Sequence, residues 1–421
     1  MEPAQSESLT AALGPILDEL LTPALVIDLD AVAHNLAATI ARVGGPQRWQ
    51  PHLKSCKQAV VISLMLEAGL RHFKVATADE LELLLRTADE AGVEGVDVLF
   101  AYPASRAALR AVLSLACDRT ARVCVLADSI THLEQLARDA TELGWQRQLP
   151  VMLDVDLGMH RTGSTPEHWQ SLRELPAPLA LAGLHGYDGH LRWEQRAEAH
   201  AGYDRLCALA SSLAGGSVME LITSGTHSYA HALAHAGLSQ GPWQHRVSPG
   251  TIVLSDLRSH AAAADIGLRQ AAFVATRVIS VGPGRVTCDA GSKAITPDGA
   301  PPTCAVLDHP ELTPLRASEE HLPCELAEQA ATPALGQLLW LIPDHVCTTV
   351  NLHREAVWLR AGRFAGFGPV AASGHRPRAP LCQTMAGGEG SPAGLCPDGE
   401  RDRLRSLSED SVRGGESGRP Q

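Results

Sequence analysis

Between residues 21 and 260, short apolar runs alternate with segments whose apolar positions recur three and four residues apart. The runs cover 24–29, 50–54, 72–77, 97–102, 122–128, 150–156, 179–187, 220–224 and 247–254. Residues 104–116 and 130–143 show the second pattern, with Ala, Leu and Arg at helical spacing. Repeated strand–helix units imply a parallel sheet, and about eight of them suit a (β/α)8 TIM barrel. A doubly wound sheet is the alternative, but no GxGxxG turn follows the first run.

Past residue 271 the texture changes. Runs at 273–279, 284–288, 337–342 and 356–359 are short and separated by Gly, Pro and Asp turns, which predicts an antiparallel β domain. Residues 1–20 read as a short leader with helical character. From 374 onward the chain is rich in Gly, Arg, Ser, Pro and Glu, the composition of a disordered tail. The expected organisation is a leader (1–20), a barrel (21–260), a C-terminal β domain (261–373) and a tail (374–421).

At 421 residues and 45% hydrophobic content the chain is long enough for both domains. A net charge of −12 without a basic cluster argues against a nucleic-acid partner. No run approaches the roughly 18 consecutive apolar residues of a spanning helix, so no membrane is expected. The acidic, polar start lacks the order of a secretion signal, and the ten cysteines are scattered without a CxxC pair. These features predict a cytoplasmic protein with reduced thiols.

Lysine is scarce: of 35 basic residues only Lys54, Lys57, Lys74 and Lys293 are lysines, and two share the run Pro51-His52-Leu53-Lys54-Ser55-Cys56-Lys57. Lysine forms imines with carbonyls and arginine does not. Lys54, beside His52 at the end of a barrel run, stands where barrel active sites are built. Thr223-Ser224-Gly225-Thr226 and Ser248-Pro249-Gly250-Thr251 follow the last strands; their hydroxyls, open backbone amides and adjoining helix N-termini suit a phosphate. With the lysine they point to pyridoxal phosphate. Tyr187, in Gly183-Leu184-His185-Gly186-Tyr187, is placed to stack on a flat ring or to pack in the barrel. Arg161 is placed to bind a ring edge or substrate carboxylate, or to pair with Asp156. In Pro343-Asp344-His345-Val346-Cys347, positions i and i+2 of a strand would set His345 and Cys347 on one face as two ligands for zinc.

Together these segments resemble the fold-type III pyridoxal-phosphate enzymes, specifically the D-threonine aldolase and D-serine dehydratase family, with its alanine racemase-like barrel. Pro-His-Leu-Lys-Ser-Cys-Lys is similar to that family's PHxKTHK, which implies that Lys54 carries the imine. Thr22-Pro23-Ala24-Leu25-Val26-Ile27-Asp28, the DxGxxRxG-like run from Asp156 to Gly163, Asp289-Ala290-Gly291-Ser292-Lys293 and Ser318-Glu319-Glu320-His321 also match in order. Pro343-Asp344-His345-Val346-Cys347 resembles PNHxC, whose His and Cys bind zinc in the dehydratases; another divalent metal is an alternative. Cys56 replaces the usual histidine and Asp344 the usual asparagine, and the tail has no counterpart.

The resemblance implies a homodimeric lyase acting on β-hydroxy D-amino acids. Soft thiolate at Cys347 favours zinc and so D-serine dehydratase-type elimination to pyruvate and ammonia. D-Threonine aldolase cleavage is the alternative. An amino-acid racemase would carry a KANAYG-like run at the lysine, which is missing, and a non-catalytic pyridoxal-phosphate carrier would lack the second domain.

Overall fold

The computed structural model describes residues 4–213 and 218–376. Seven parallel strands follow one another in chain order: His72–Val75, Asp97–Pro103, Arg122–Ala127, Leu149–Asp154, Leu179–Gly186, Glu220–Thr223 and Gln244–Val247. The expected barrel is completed by a segment too irregular to count as a strand. Trp49 bridges Val247 and His52 bridges Lys74, both in parallel register. Gln50 N donates to Val247 O at 2.9 Å and Lys74 N to Pro51 O at 2.9 Å. Pro51 has no N–H to donate, which thins the ladder here. Side chains reinforce it: Trp49 Nε1 donates to Pro249 O at 2.8 Å and Gln50 Nε2 to Phe73 O at 3.0 Å.

Helices pack outside the strands, and their starts are set by polar caps. Thr77, Ser129 and Thr165 each accept a backbone N–H of the first turn, which satisfies a donor the helix itself cannot. Inside the barrel, Leu99, Cys124, Leu126, Met152 and Ile222 form a buried cluster drawn from four strands.

The second sheet corrects one part of the alternation reading. Ala24–Asp28, the first apolar run, is not a barrel strand; it pairs antiparallel with Ala272–Gly282 and parallel with Glu355–Arg360. A buried apolar strand looks alike in sequence whichever sheet it joins. Nine strands make up this sheet, all but Ala24–Asp28 from residues 272–369. Ala272–Gly282 alternates between two cores, as its pleat requires: Phe273 and Ala275 face one, Val274 and Val278 the other. The last barrel run also shifts, since its strand is Gln244–Val247 and Thr251–Val253 form a 3-10 turn.

The expected leader is folded onto this sheet. Helix Gln5–Leu13 buries Leu9, Ala12 and Leu13 against Phe273 and Trp340, and Trp340 Nε1 donates to Thr10 Oγ1 at 3.0 Å. The tail expected from 374 lies outside the described residues from 377 onward. No described helix is long and apolar enough to cross a membrane.

Leu13 is fully buried in that contact. Leu13→Ala is expected to cost about 2–5 kcal/mol in urea unfolding; a loss near zero would show that the helix is not part of the folded core.

Candidate active site

His52 to Cys56 form a 3-10 turn at the barrel mouth, where His52 Nδ1 accepts the Lys54 amide at 3.3 Å. Burial first, then the nearby Lys54 and Lys74 charges, hold the His52 imidazole neutral, well below its ordinary value, so this nitrogen stays an acceptor. The two lysines of the motif part company here. Lys57 has a positive φ of 55° and points away from the cleft. Its Nζ donates to Glu80 Oε1 at 2.8 Å and to Ala372 O at 3.0 Å, tying the turn to a barrel helix and to the end of the second sheet. Cys56 is buried, and burial pushes its thiol up to about 12, so it keeps its proton.

Lys54 instead lines a cleft of about 490 Å³ at the carboxyl ends of the barrel strands. His52, Arg161, Tyr187, Gly225, Thr226, Ser248, Gly250, His345 and Cys347 line the same cleft. Ser224 does not: it turns the chain at φ 65°, and its hydroxyl donates to Thr223 O at 2.7 Å. Arg161 stacks over Tyr187, its guanidinium 4.8 Å from the ring centroid. Asp156 pairs elsewhere, with His160 Nδ1 at 2.7 Å.

Residues 225–226 and 248–251 form a cradle. Thr226 Oγ1 and Thr251 Oγ1 lie 2.7 Å apart and link the two loops. A Cβ at Gly250 would come within 2.8 Å of Ser55 Oγ and 2.9 Å of His52 O, so only glycine fits there. Ser248 Oγ is buried with no partner among the described residues, a vacancy in hydrogen bonding that a phosphate oxygen would fill. The expected helix dipoles contribute little, because the helix after residues 225–226, Tyr229–Ala234, has only six residues and the loop at 248–250 leads into the three-residue 3-10 turn Thr251–Val253. The donor set and the space suit the phosphate of pyridoxal phosphate.

Three residues absent from the sequence reading of the site form a buried chain beside it. Asp154 Oδ1 accepts His185 Nδ1 at 2.7 Å, and Asp154 Oδ2 accepts Thr162 Oγ1 at 2.7 Å. His185 Nε2 then faces Lys74 Nζ at 2.8 Å. Burial, followed by the charge of Lys54, lowers the Lys74 amine to about 7. The available signal was a lysine set between the apolar Phe73 and Val75 in a four-residue strand.

At the far side, His345 and Cys347 come together by a different route from that expected. The strand Leu338–Pro343 ends before them; His345 is the extended residue that opens helix Val346–Leu352, and Cys347 lies in its first turn. Asp256 fixes the junction, accepting Val346 N at 2.8 Å. Asp298, 47 residues upstream, accepts His345 Nδ1 at 2.7 Å, the arrangement that orients a metal-binding imidazole. Cys347 Sγ approaches Ser55 Oγ at 3.4 Å, beside Lys54. Asp344 does not join the pair; its carboxylate holds Arg258 at 2.5 Å. No cluster of three or more His, Cys, Asp or Glu residues suited to a metal occurs among the described residues.

Two outcomes follow from the lysine environments. Lys57→Met leaves Glu80 buried without its cation and is expected to cost about 3–5 kcal/mol in chemical unfolding, with much of it recovered in the Lys57→Met/Glu80→Gln double variant; equal losses in both would contradict the pairing. For Lys74, the folded value near 7 lies below the ordinary 10.5, so between these the unfolded chain binds the extra proton and stability rises with pH. In urea unfolding of coenzyme-free protein, the advantage of Lys74→Met over the parent should shrink as pH rises through that window.

Comparison with known proteins agrees with this architecture. Residues 27–256 match the family described as alanine racemase, N-terminal domain, and residues 271–359 match the putative serine dehydratase domain. The chain is 28% identical to the D-threonine aldolase of Arthrobacter sp over 86% of its own length and 95% of the relative's. The crystal structure of D-threonine aldolase from Filomicrobium marinum superposes with a TM-score of 0.72 at 26% identity, covering 85% of this chain and 96% of that one. D-threo-3-hydroxyaspartate dehydratase from Delftia sp. HT23, with a TM-score of 0.67 and 23% identity over 85% of this chain and 98% of that one, shares the fold. With a barrel, a cradle and a cleft lysine in place, the chain belongs to the alanine racemase N-terminal domain family and is a pyridoxal-phosphate-dependent lyase.

Proposed function

We propose that this lyase cleaves β-hydroxy D-amino acids between Cα and Cβ, giving glycine and an aldehyde, with the help of a metal ion. The observation that carries the reading is the single cleft that holds Lys54 and the phosphate cradle together with His345 and Cys347. Two relatives matched over nearly their whole length, a D-threonine aldolase and a 3-hydroxy-D-aspartate aldolase, favour cleavage over the D-serine dehydratase activity expected from sequence.

Lys54 would hold the coenzyme covalently, with its phosphate on Thr226, Ser248 and the Gly250 loop. Pyridoxal phosphate, when bound, supplies an electron sink for charge that develops at Cα. Tyr187 walls the cleft and, with Arg161 stacked on it, presents a flat cationic surface to the ring or to a substrate carboxylate. His345 and Cys347 would hold zinc, which supplies Lewis acidity at the substrate's β-oxygen. Asp298 keeps the His345 ring oriented. His227 lines the cleft, and burial first, then the charges of Arg192 and Arg258, lower it to about 4. Its Nδ1 is buried with no partner among the described residues, and the ring is neutral near neutral pH.

Elimination is the second reading, favoured by one observation: Cys347 is a thiol, and soft thiolate suits zinc, the metal linked above to dehydration. Loss of the Cα proton and of water would give a keto acid and ammonia.

D-Threonine separates the two. The purified protein with coenzyme and zinc is expected to yield glycine and acetaldehyde, to lose turnover on chelation and to regain it with added zinc. Formation of 2-oxobutanoate and ammonia without glycine would replace cleavage by elimination. Turnover indifferent to chelation would remove the role given to His345 and Cys347.

A further inference from the structure

We propose that Lys74 is the proton partner of Lys54, accepting a proton from the substrate's ammonium group and passing one to Lys54 as the substrate takes its place on the coenzyme. This rests on the coenzyme reading above. The step balances without redox change. The substrate nitrogen gives up two protons in turn, each taken up by Lys74 and handed on to the Lys54 nitrogen. Loss of the first frees the substrate amine to form its C–N bond to the coenzyme. Loss of the second lets that bond become double as the C–N bond to Lys54 breaks, and Lys54 departs with both protons while Lys74 ends as it began.

The geometry carries this. Lys74 is 3% exposed yet lines the cleft with Lys54. The contrast with Lys57 is informative, because that buried amine is neutralised by a carboxylate at 2.8 Å. Lys74 has an imidazole at 2.8 Å instead. Ionised Asp154 accepts from His185 Nδ1, which fixes the tautomer, so Nε2 accepts from Lys74 and leaves the amine's remaining valences free for the cleft. Tyr187 lies beside it, with Lys74 Nζ 5.8 Å from the ring centroid.

The charges that face Lys74 come from several elements. Lys54, on the 3-10 turn, and Arg161, on the loop after Asp154, disfavour its ammonium form, while Asp154 and Asp188 favour it. Neutral His52 and His185 complete the surround. In the coenzyme-free protein, burial and the Lys54 charge, balanced by carboxylates one step removed, bring this amine toward neutrality. Burial and Arg161 still oppose its ammonium form when Lys54 holds the coenzyme and substrate arrives as an ammonium ion.

Because the chain has only four lysines, side-chain ¹⁵N labelling of lysine gives few amine signals, and Lys74→Met identifies the one in question. In coenzyme-free protein that signal should titrate near neutral pH, move up in Lys54→Met and move down in Asp154→Asn. Titration close to the ordinary 10.5 would overturn the proton role alone. In coenzyme-loaded protein, Lys74→Met should slow the spectral change on mixing with D-threonine by about 100-fold, with recovery in added methylamine. An unchanged rate would overturn it as well. A chain that takes up no coenzyme would overturn the coenzyme reading and the proton role together, while the titration would still report the amine's state.

Discussion

The site depends on how a barrel of seven regular strands is closed. A parallel barrel needs a neighbour on each side of every strand, and here the missing place is filled by residues 49–52, which make single ladder contacts to Val247 and Lys74. So few backbone bonds would hold a segment loosely. Buried Trp49 and Gln50 compensate, each hydrogen-bonding across to a neighbouring element. The turn that carries Lys54 begins where this segment stops, so the closure of the fold and the placement of the amine are one event.

From that turn two long-range ties reach the C-terminal domain, one to the segment after its last strand and one to the helix Val346–Leu352. Lys57 grips Glu80 and the carbonyl of Ala372, and Ser55 meets the Cys347 thiol. The C-terminal domain therefore bears directly on the loop that presents Lys54. It also carries His345, steadied by Asp298. The lysines divide by what faces them: Lys57 has a buried carboxylate, Lys74 a neutral imidazole, and Lys293 a surface pair of glutamates. Lys54 faces the cleft.

What was legible in the sequence was local. The Lys54 run, the Ser/Gly/Thr turns after the last strands and the His345–Cys347 pair are each contiguous, and their chemistry is carried by residue type and spacing. The barrel was legible because strand and helix periods alternate, and the β domain because turns punctuate it. What escaped was distant in sequence. Asp154, His185 and Lys74 sit on three strands, and no spacing rule brings them together. Asp298 meets His345 only through the folded second domain. The strand Ala24–Asp28 and the helix Gln5–Leu13 carry apolar residues that fit either domain, and their partner is decided by tertiary packing.

Trapping the coenzyme tests the central claim most directly. The protein is incubated with pyridoxal phosphate, reduced with borohydride and digested, and the modified peptide is identified by mass. The account predicts one stable adduct, on the peptide that contains Lys54, and its loss in Lys54→Ala. An adduct on Lys57 or Lys74 in the parent protein, or none at all, would contradict it.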